Sequence, residues 1–349
     1  PEHVPGRLLV RFAESTTDTA KEQFVAARGG TITQTFSTIE TVVVKLGDAK
    51  ADVLQEAAAW SADPAVLYAE PDYVYQLAVV PNDPRFDELY GMHNTGQTGG
   101  TADADIDAPE AWDTFPGSSA VVIAVIDTGI DYHHEDLDDN LCTNLAELNG
   151  LAGVDDDNTG CVDDIYGMDG YNNDSDPWDD HSHGSHVAGT IGAEGNNGVG
   201  VAGVNWDVSM MLLKMCPQGT WPPETYNRAQ KAAKAIRYAA DNGARIINWS
   251  GFVSKSKPED LAELKAAIDY AATKNVLLIP GAGNFGTNID LDENAIYPAC
   301  FDCDNILNVA EITLAGELDE KSGRHRVSAS SYGVERVGLA AIARNFTTD

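Results

Sequence analysis

Four short apolar runs constrain this chain more than any other feature. They are AVVIAVIDTG (Ala120–Gly129), VSMMLLKM (Val208–Met215), ARIINWS (Ala244–Ser250) and NVLLIPGAG (Asn275–Gly283). Most of their residues are apolar without alternation, and most runs end in a turn, as expected of strands buried on both faces of a parallel sheet. RAQKAAKAIRYAADNG (Arg228–Gly243) and PEDLAELKAAIDYAATKN (Pro258–Asn275) have helical character and lie between the later runs. Strands alternating with helices predict an α/β fold, an open and mainly parallel sheet with helices on both faces, over residues 105–349. Such sheets gather their chemistry at the carboxyl ends of the strands, here IDTG, NWSG and GAGN.

The first 77 residues read differently. LLVRF is a strand, TDTAKEQFVAARGG a helix closing on a glycine pair, and TQTFSTIETVVVKL strand material with a break. ADVLQEAAAW is helical and AVLYAEPDYVY extended. This β-α-β-β-α-β order predicts a small α+β ferredoxin-like domain over 1–77. Residues 78–104 then read as a linker, punctuated by Pro81 and Pro84, and the start of the larger region. The chain carries 55 acidic and 22 basic residues, a net charge of −33. That balance argues against nucleic acid or an anionic membrane as a partner. No apolar run reaches the 18 residues of a membrane span, and PEHVPGRLLVRF shows no signal-peptide pattern. Five cysteines are too few for a disulfide scaffold, and the odd number leaves one without an intrachain partner.

Asp127 ends a strand too apolar to hold an idle carboxylate. Taken alone, it also suits a turn or cap. In HSHGSHVAGTIG (His181–Gly192), Gly184 and Ser185 permit a tight start to a helix, with His183 at that start and His186 structural. The spacing of these histidines does not reproduce a zinc motif. In GAGNFG, Asn284 is either a turn residue or an amide donor aimed at a developing oxyanion.

Together and in order, these strings resemble the subtilisin-like serine protease (subtilase) family, which carries Asp in D-[TS]-G, His in H-G-T-H-V-A-G and Ser in G-T-S-M-A-x-P. Here Ser185 stands where Thr is usual. The resemblance implies that Asp127 orients His183, that His183 is general base and then general acid, and that Asn284 serves the oxyanion hole. It implies a secreted, extracellular endopeptidase that hydrolyses protein or peptide substrates by acyl transfer. Residues 1–77 are similar to the family's inhibitor-type propeptide, which is expected to occupy the cleft. Ser250, Gly251 and Phe252 on one side, with Gly281, Ala282 and Gly283, resemble the segments that flank an extended peptide. Phe252 is larger than the usual glycine. Met215–Trp221 resembles the wall on the other side, so Cys216 is a lining residue and not a nucleophile.

GVDDDNTGCVDD (Gly153–Asp164) holds five acids in twelve residues, with Gly160 for the bend. Asp155, Asp157, Thr159, the Cys161 carbonyl and Asp163 or Asp164 form an EF-like set of oxygens for a hard cation; a solvated acidic loop is the other reading. The resemblance favours calcium, at one to three sites. It also assigns a calcium loop to NNGVGV, with ligands from Asp136, Asn197, Val199 and Val201 and a weaker candidate in Glu147. Cys142 and Cys161 flank the acidic loop and are a candidate disulfide; Cys300 and Cys303 either bridge or stay free.

The chain contains no GTSMA string. After Asn284 the serines are Ser322, Ser328, Ser330 and Ser331, and SASSYG resembles a structural segment of the family. The closing ARNFTTD is similar to the stretch that leads into the nucleophile. The expectation is a zymogen or its large fragment, with the serine on a C-terminal fragment or a separate chain. A pseudoprotease that binds peptides is the alternative.

Overall fold

A computed structural model describes residues 3–13, 15–48, 50–73, 79–98, 101–216, 227–253, 257–312 and 330–342. The chain divides into two compact units, Pro1–Leu77 and Ala78–Asp349.

The first unit holds β1 (His3–Phe12), α1 (Asp18–Ala27), β2 (Thr31–Phe36), β3 (Thr41–Lys45), α2 (Val53–Ser61) and β4 (Val66–Tyr73). Its sheet runs β2-β3-β1-β4, with every neighbouring pair antiparallel. Alternate residues Leu8, Val10 and Phe12 of β1 pack with Val25 of α1 and with Ala57 and Trp60 of α2, so one sheet face is covered by both helices. Thr17 caps α1 and Asp52 caps α2, each accepting first-turn amides.

The second unit holds α3 (Ala108–Trp112), β5 (Gly117–Asp127), α4 (Leu145–Leu148), β6 (Gly167–Asp169), α5 (His183–Gly192), β7 (Asp207–Lys214), α6 (Arg228–Asp241), β8 (Ile246–Trp249), α7 (Pro258–Thr273), β9 (Leu277–Pro280), β10 (Val309–Ile312) and β11 (Leu339–Ile342). A five-stranded parallel sheet runs β6-β7-β5-β8-β9. β5 is central, and its residues alternate between two cores. Ala124 and Ile126 join α6 and α7 on one face, while Ile123 and Val125 join α5 and Met92 on the other. This two-sided burial is why the strand reads as an unbroken apolar run. Residues 79–98 are no free linker: Phe86, Leu89 and Met92 are buried with Trp112 in the second core.

Candidate active site

The site is built where β5 meets α5. Asp127 is the last residue of β5, flanked in register by Lys214 of β7, and its side chain is only 3% exposed. Its Oδ1 accepts the Thr128 amide at 2.7 Å and lies 2.7 Å from Nδ1 of His183. Oδ2 is buried without a hydrogen-bond partner among the described residues. A dehydrated carboxylate with one unsatisfied oxygen favours positive charge beside it. Accordingly the hydrogen bond to Asp127 raises the pKa of His183 above its ordinary 6.5; burial opposes, and the charges of Asp127 and Asp179 add. The imidazole is bonded through Nδ1 and its side chain is half exposed, so the ring is held on one edge and open on another.

Two glycines let the segments around these residues approach closely. A Cβ on Gly184 would lie 2.0 Å from the Gly129 carbonyl oxygen. Gly129 has φ +110°, and a Cβ there would lie 2.4 Å from the Pro177 carbonyl oxygen. The turn after β5, the 177–178 segment and the first turn of α5 touch backbone to backbone, which only glycine permits.

The start of α5 has no side-chain cap from Ser182, which adopts φ +73°. Its first amides are met from elsewhere: Gly184 N–H donates to Thr128 Oγ1 at 2.9 Å and Ser185 N–H to Asp179 Oδ2 at 2.8 Å. Asp179 was not foreseen from the sequence, although a carboxylate four residues before His183 was visible in DDHSH.

The other expected site residues lie at neighbouring strand ends. Ser250, Gly251 and Phe252 follow β8, with Ser250 Oγ 3.0 Å from Asn248 Nδ2 and Gly251 packed on the Trp249 indole. Gly281, Ala282, Gly283 and Asn284 follow β9. Ala282 is buried and donates to the Val309 carbonyl; Gly283 accepts the Ser331 amide at 2.7 Å; Asn284 is exposed. The rings of Phe252 and Phe285 meet edge to face at 5.0 Å, so the two segments share an apolar contact. On the other side, Met215 N–H donates to the Asp127 carbonyl at 2.7 Å. Burial and then the Asp127 charge push the Cys216 thiol up to about 11, so it is protonated at neutral pH. Residues 217–221 lie outside the described residues, as do Ser322, Ser328 and the ARNFTTD stretch.

None of the described serines near the motifs bonds to His183. Ser185 Oγ donates to Asp179 at 2.7 Å, and Ser330 and Ser331 are buried and engaged with Glu311, Phe285 and their own backbone.

Two acidic groupings stand apart from this pair. In the first, ligand atoms of Glu147, Asp157 and Asp164 lie within 4.8 Å of one another. Asn144 Nδ2 donates to Asp157 at 2.7 Å and to Asp164 at 3.3 Å, and Tyr238 Oη donates to Asp164. Thr159 Oγ1 reaches Asp164 at 3.4 Å. Asp155 is turned elsewhere, onto the amides of Thr159 and Gly160 at 3.1 and 3.0 Å. Asp163 binds the Gly153 amide at 2.8 Å. The clustered trio therefore includes Glu147, which the family resemblance offered only as a weaker candidate, and omits Asp155 and Asp163. A cavity of about 480 Å³ opens beside Asp157, Thr159 and Cys161, with Lys234 and Arg237 on its wall. In the second grouping, Asp136 is fully buried, accepting Asn197 Nδ2 and the Val201 amide at 3.0 Å each. Val199 N–H donates to Asn197 Oδ1 at 2.7 Å. Asp83, from the stretch read as linker, joins this group by accepting the Asn196 amide at 2.6 Å. Burial raises the pKa of both Asp83 and Asp136. The candidate Cys142–Cys161 disulfide is not formed: all five cysteines are free thiols.

A buried carboxylate at the carboxyl edge of a parallel sheet, bonded to a histidine on the following glycine-packed helix, defines an α/β protein equipped for proton transfer beside its sheet. The family model described as the subtilase family matches residues 118–348, and the chain belongs to that family. A second model, the fervidolysin N-terminal prodomain, matches residues 1–72. The thermophilic serine proteinase of Bacillus sp. strain AK1 is 31% identical over 307 residues, covering 86% of this chain and 65% of that protein. Subtilisin-like protease 1 of Plasmodium berghei is 39% identical over 210 residues, covering 56% of this chain and 34% of its own length. The chain thus spans about a third of the length of the Plasmodium relatives. A solved protease of Pseudoalteromonas arctica superposes with a TM-score of 0.52 at 27% identity, over 77% of this chain and 74% of that one.

Proposed function

We propose that this chain is the prodomain and a large part of the catalytic domain of a secreted serine endopeptidase that cleaves protein or peptide substrates by acyl transfer. The observation that carries the reading is the 2.7 Å bond between His183 Nδ1 and buried Asp127. A proton held on Nδ1 by the carboxylate leaves Nε2 as the basic atom, which takes the proton of a serine hydroxyl and returns it to the leaving amine. Asp127 compensates the imidazolium that forms between those two transfers. Asn284, exposed at the end of the β9 segment, is assigned to the oxyanion, and Ser250–Phe252 with Gly281–Gly283 to an extended peptide.

The attacking hydroxyl is assigned to the serine of the family's G-T-S-M-A-x-P string, which these 349 residues do not contain. Residues 1–77 are assigned the role of the family's propeptide, binding the cleft. Calcium is assigned to Glu147, Asp157 and Asp164, with Thr159 and the Cys161 carbonyl close in sequence, and to Asp136, Asn197, Val199 and Val201. Both sets present hard oxygen donors with buried carboxylates, which fits calcium and not a soft metal. A fluorophosphonate probe, applied to the protein together with its serine-bearing segment, should label that segment. Labelling should fall at least about 1000-fold in rate in His183→Ala. Absence of label in the unaltered assembly would mean a non-catalytic peptide binder.

A further inference from the structure

We propose that Asp179 is a positioning residue that holds Asp127 and His183 in register through Thr128. The proposal rests on Asp127 and His183 being the reacting pair. Asp179 lies on the loop before α5, is 8% exposed, and receives five hydrogen bonds. Its Oδ1 accepts Thr128 Oγ1–H at 2.9 Å, His181 N–H at 2.9 Å and Ser182 N–H at 3.1 Å. Its Oδ2 accepts both the amide and the hydroxyl of Ser185, at 2.8 and 2.7 Å.

Thr128 is the link. Its hydroxyl donates to Asp179 and accepts from Gly184 N–H at 2.9 Å, while its own amide donates to Asp127 Oδ1 at 2.7 Å. Ser185 Oγ, anchored on Asp179, accepts Asp131 N–H at 2.9 Å, tying the chain beyond Gly129 to α5. One carboxylate therefore fixes the end of β5, the turn after it and the first turn of the helix that begins with His183. These are the two ends of the Asp127–His183 bond.

The chemistry of the site requires a carboxylate. Every partner is a donor, so an acceptor-only group satisfies all five, whereas an amide would set its own NH₂ against a donor. Burial alone would raise the pKa of Asp179, but the hydrogen bonds from Ser185, His181 and Thr128 outweigh it and keep the group ionised. Its charge also faces His183. Among the described residues, Asp127 bonds that ring and the His181 ring centroid lies 6.3 Å from it. The adjacent Asp180 is engaged by Lys214 at 3.3 Å, which also donates to the Trp178 carbonyl at 2.6 Å.

Histidine-selective NMR titration of the 349-residue protein tests this, with His183 assigned by its loss in His183→Gln. In folded Asp179→Asn, the His183 midpoint should fall, because the Asp179 charge that helps hold it up is gone. Its Nδ1–H resonance should shift and broaden. Thr128→Val should move both signals the same way, and Thr128→Ser, which restores the hydroxyl, should bring them back. An unchanged His183 midpoint and Nδ1–H signal in a folded Asp179→Asn protein would overturn the proposal. If that variant does not fold, identical His183 titrations in Thr128→Val and Thr128→Ser would overturn it equally. The readout needs no nucleophilic serine. A titration shift without fluorophosphonate labelling sinks the protease reading alone, and labelling without a shift sinks the positioning role alone.

Discussion

At the scale of single residues, the chemistry turns on the basicity of one imidazole. The hydrogen bond to Asp127 leads the causes that raise the His183 pKa above 6.5. On the serine-protease reading, His183 works as a general base when neutral, so kcat/KM should rise with pH through a limb whose midpoint lies above 6.5. Asp127→Asn should move that limb down while lowering the plateau, because the amide stabilises neither the imidazolium nor the Nδ1–H tautomer. A limb unmoved by the substitution would show that Asp127 does not set the basicity of His183. The same shift bears on stability with the opposite sense. A raised folded-state pKa means the pair stabilises the fold fully below the unfolded value and loses that contribution as pH rises through the folded value. On the same reading, the conditions that stabilise the pair are those in which the base is protonated, and the activity optimum should lie on the alkaline side of the optimum for this local interaction.

At the scale of elements, the site depends on backbones that touch. Gly184 has no room for a side chain, since a Cβ there would meet the Gly129 carbonyl oxygen at 2.0 Å, and that backbone atom cannot swing aside. Gly184→Ala should cost about 2 kcal/mol or more in urea denaturation and displace His183. Gly243→Ala is the contrast: φ is +88°, but nothing lies within 4 Å, so only local strain of about 1 kcal/mol is expected. Equal losses for the two would mean that the contact between the β5 turn and α5 is not what fixes Gly184. These contacts also explain what could be read in advance. Buried strands such as β5 show unbroken apolar runs, and Gly129 and Gly184 mark the close turn beside them, so Asp127 and His183 stood out. β6 has three residues, too short to show a period. Asp179 and Asp83 act by meeting amides that are distant in sequence or hidden in a loop, and sequence spacing carries no record of such partners. Glu147 was visible as an acid on a short helix, but only the folding of the 153–164 loop brings Asp157 and Asp164 to it while turning Asp155 onto its own amides.

At the scale of the whole molecule, the charge of −33 makes bound cations a matter of stability. Asp164 is fully buried and Glu147 nearly so, with Asp157 beside them and all three offering oxygens within 4.8 Å of one another. Neighbouring carboxylates repel, and the wider acidic surface adds to that repulsion at low ionic strength. A calcium ion bound by the folded chain and not by the unfolded one stabilises by about 4 kcal/mol when its concentration is about 1,000 times Kd. For a unit of this size, that corresponds to a thermal midpoint lower by about 10 °C after chelation. The loss should be recovered by adding calcium, and less fully by magnesium, which needs a tighter octahedron. Glu147→Gln should lower the midpoint in calcium and shrink the further drop on chelation, because part of the site is already gone. Asp155→Asn should leave the chelation response close to that of the unaltered protein, since Asp155 stands outside the clustered trio. A midpoint that chelation does not move would remove calcium from this loop and leave its carboxylates as loop-forming acceptors. A full chelation response in Glu147→Gln, together with a lost one when Asp136 is replaced by Asn, would instead place the stabilising ion at the Asp136–Asn197 loop.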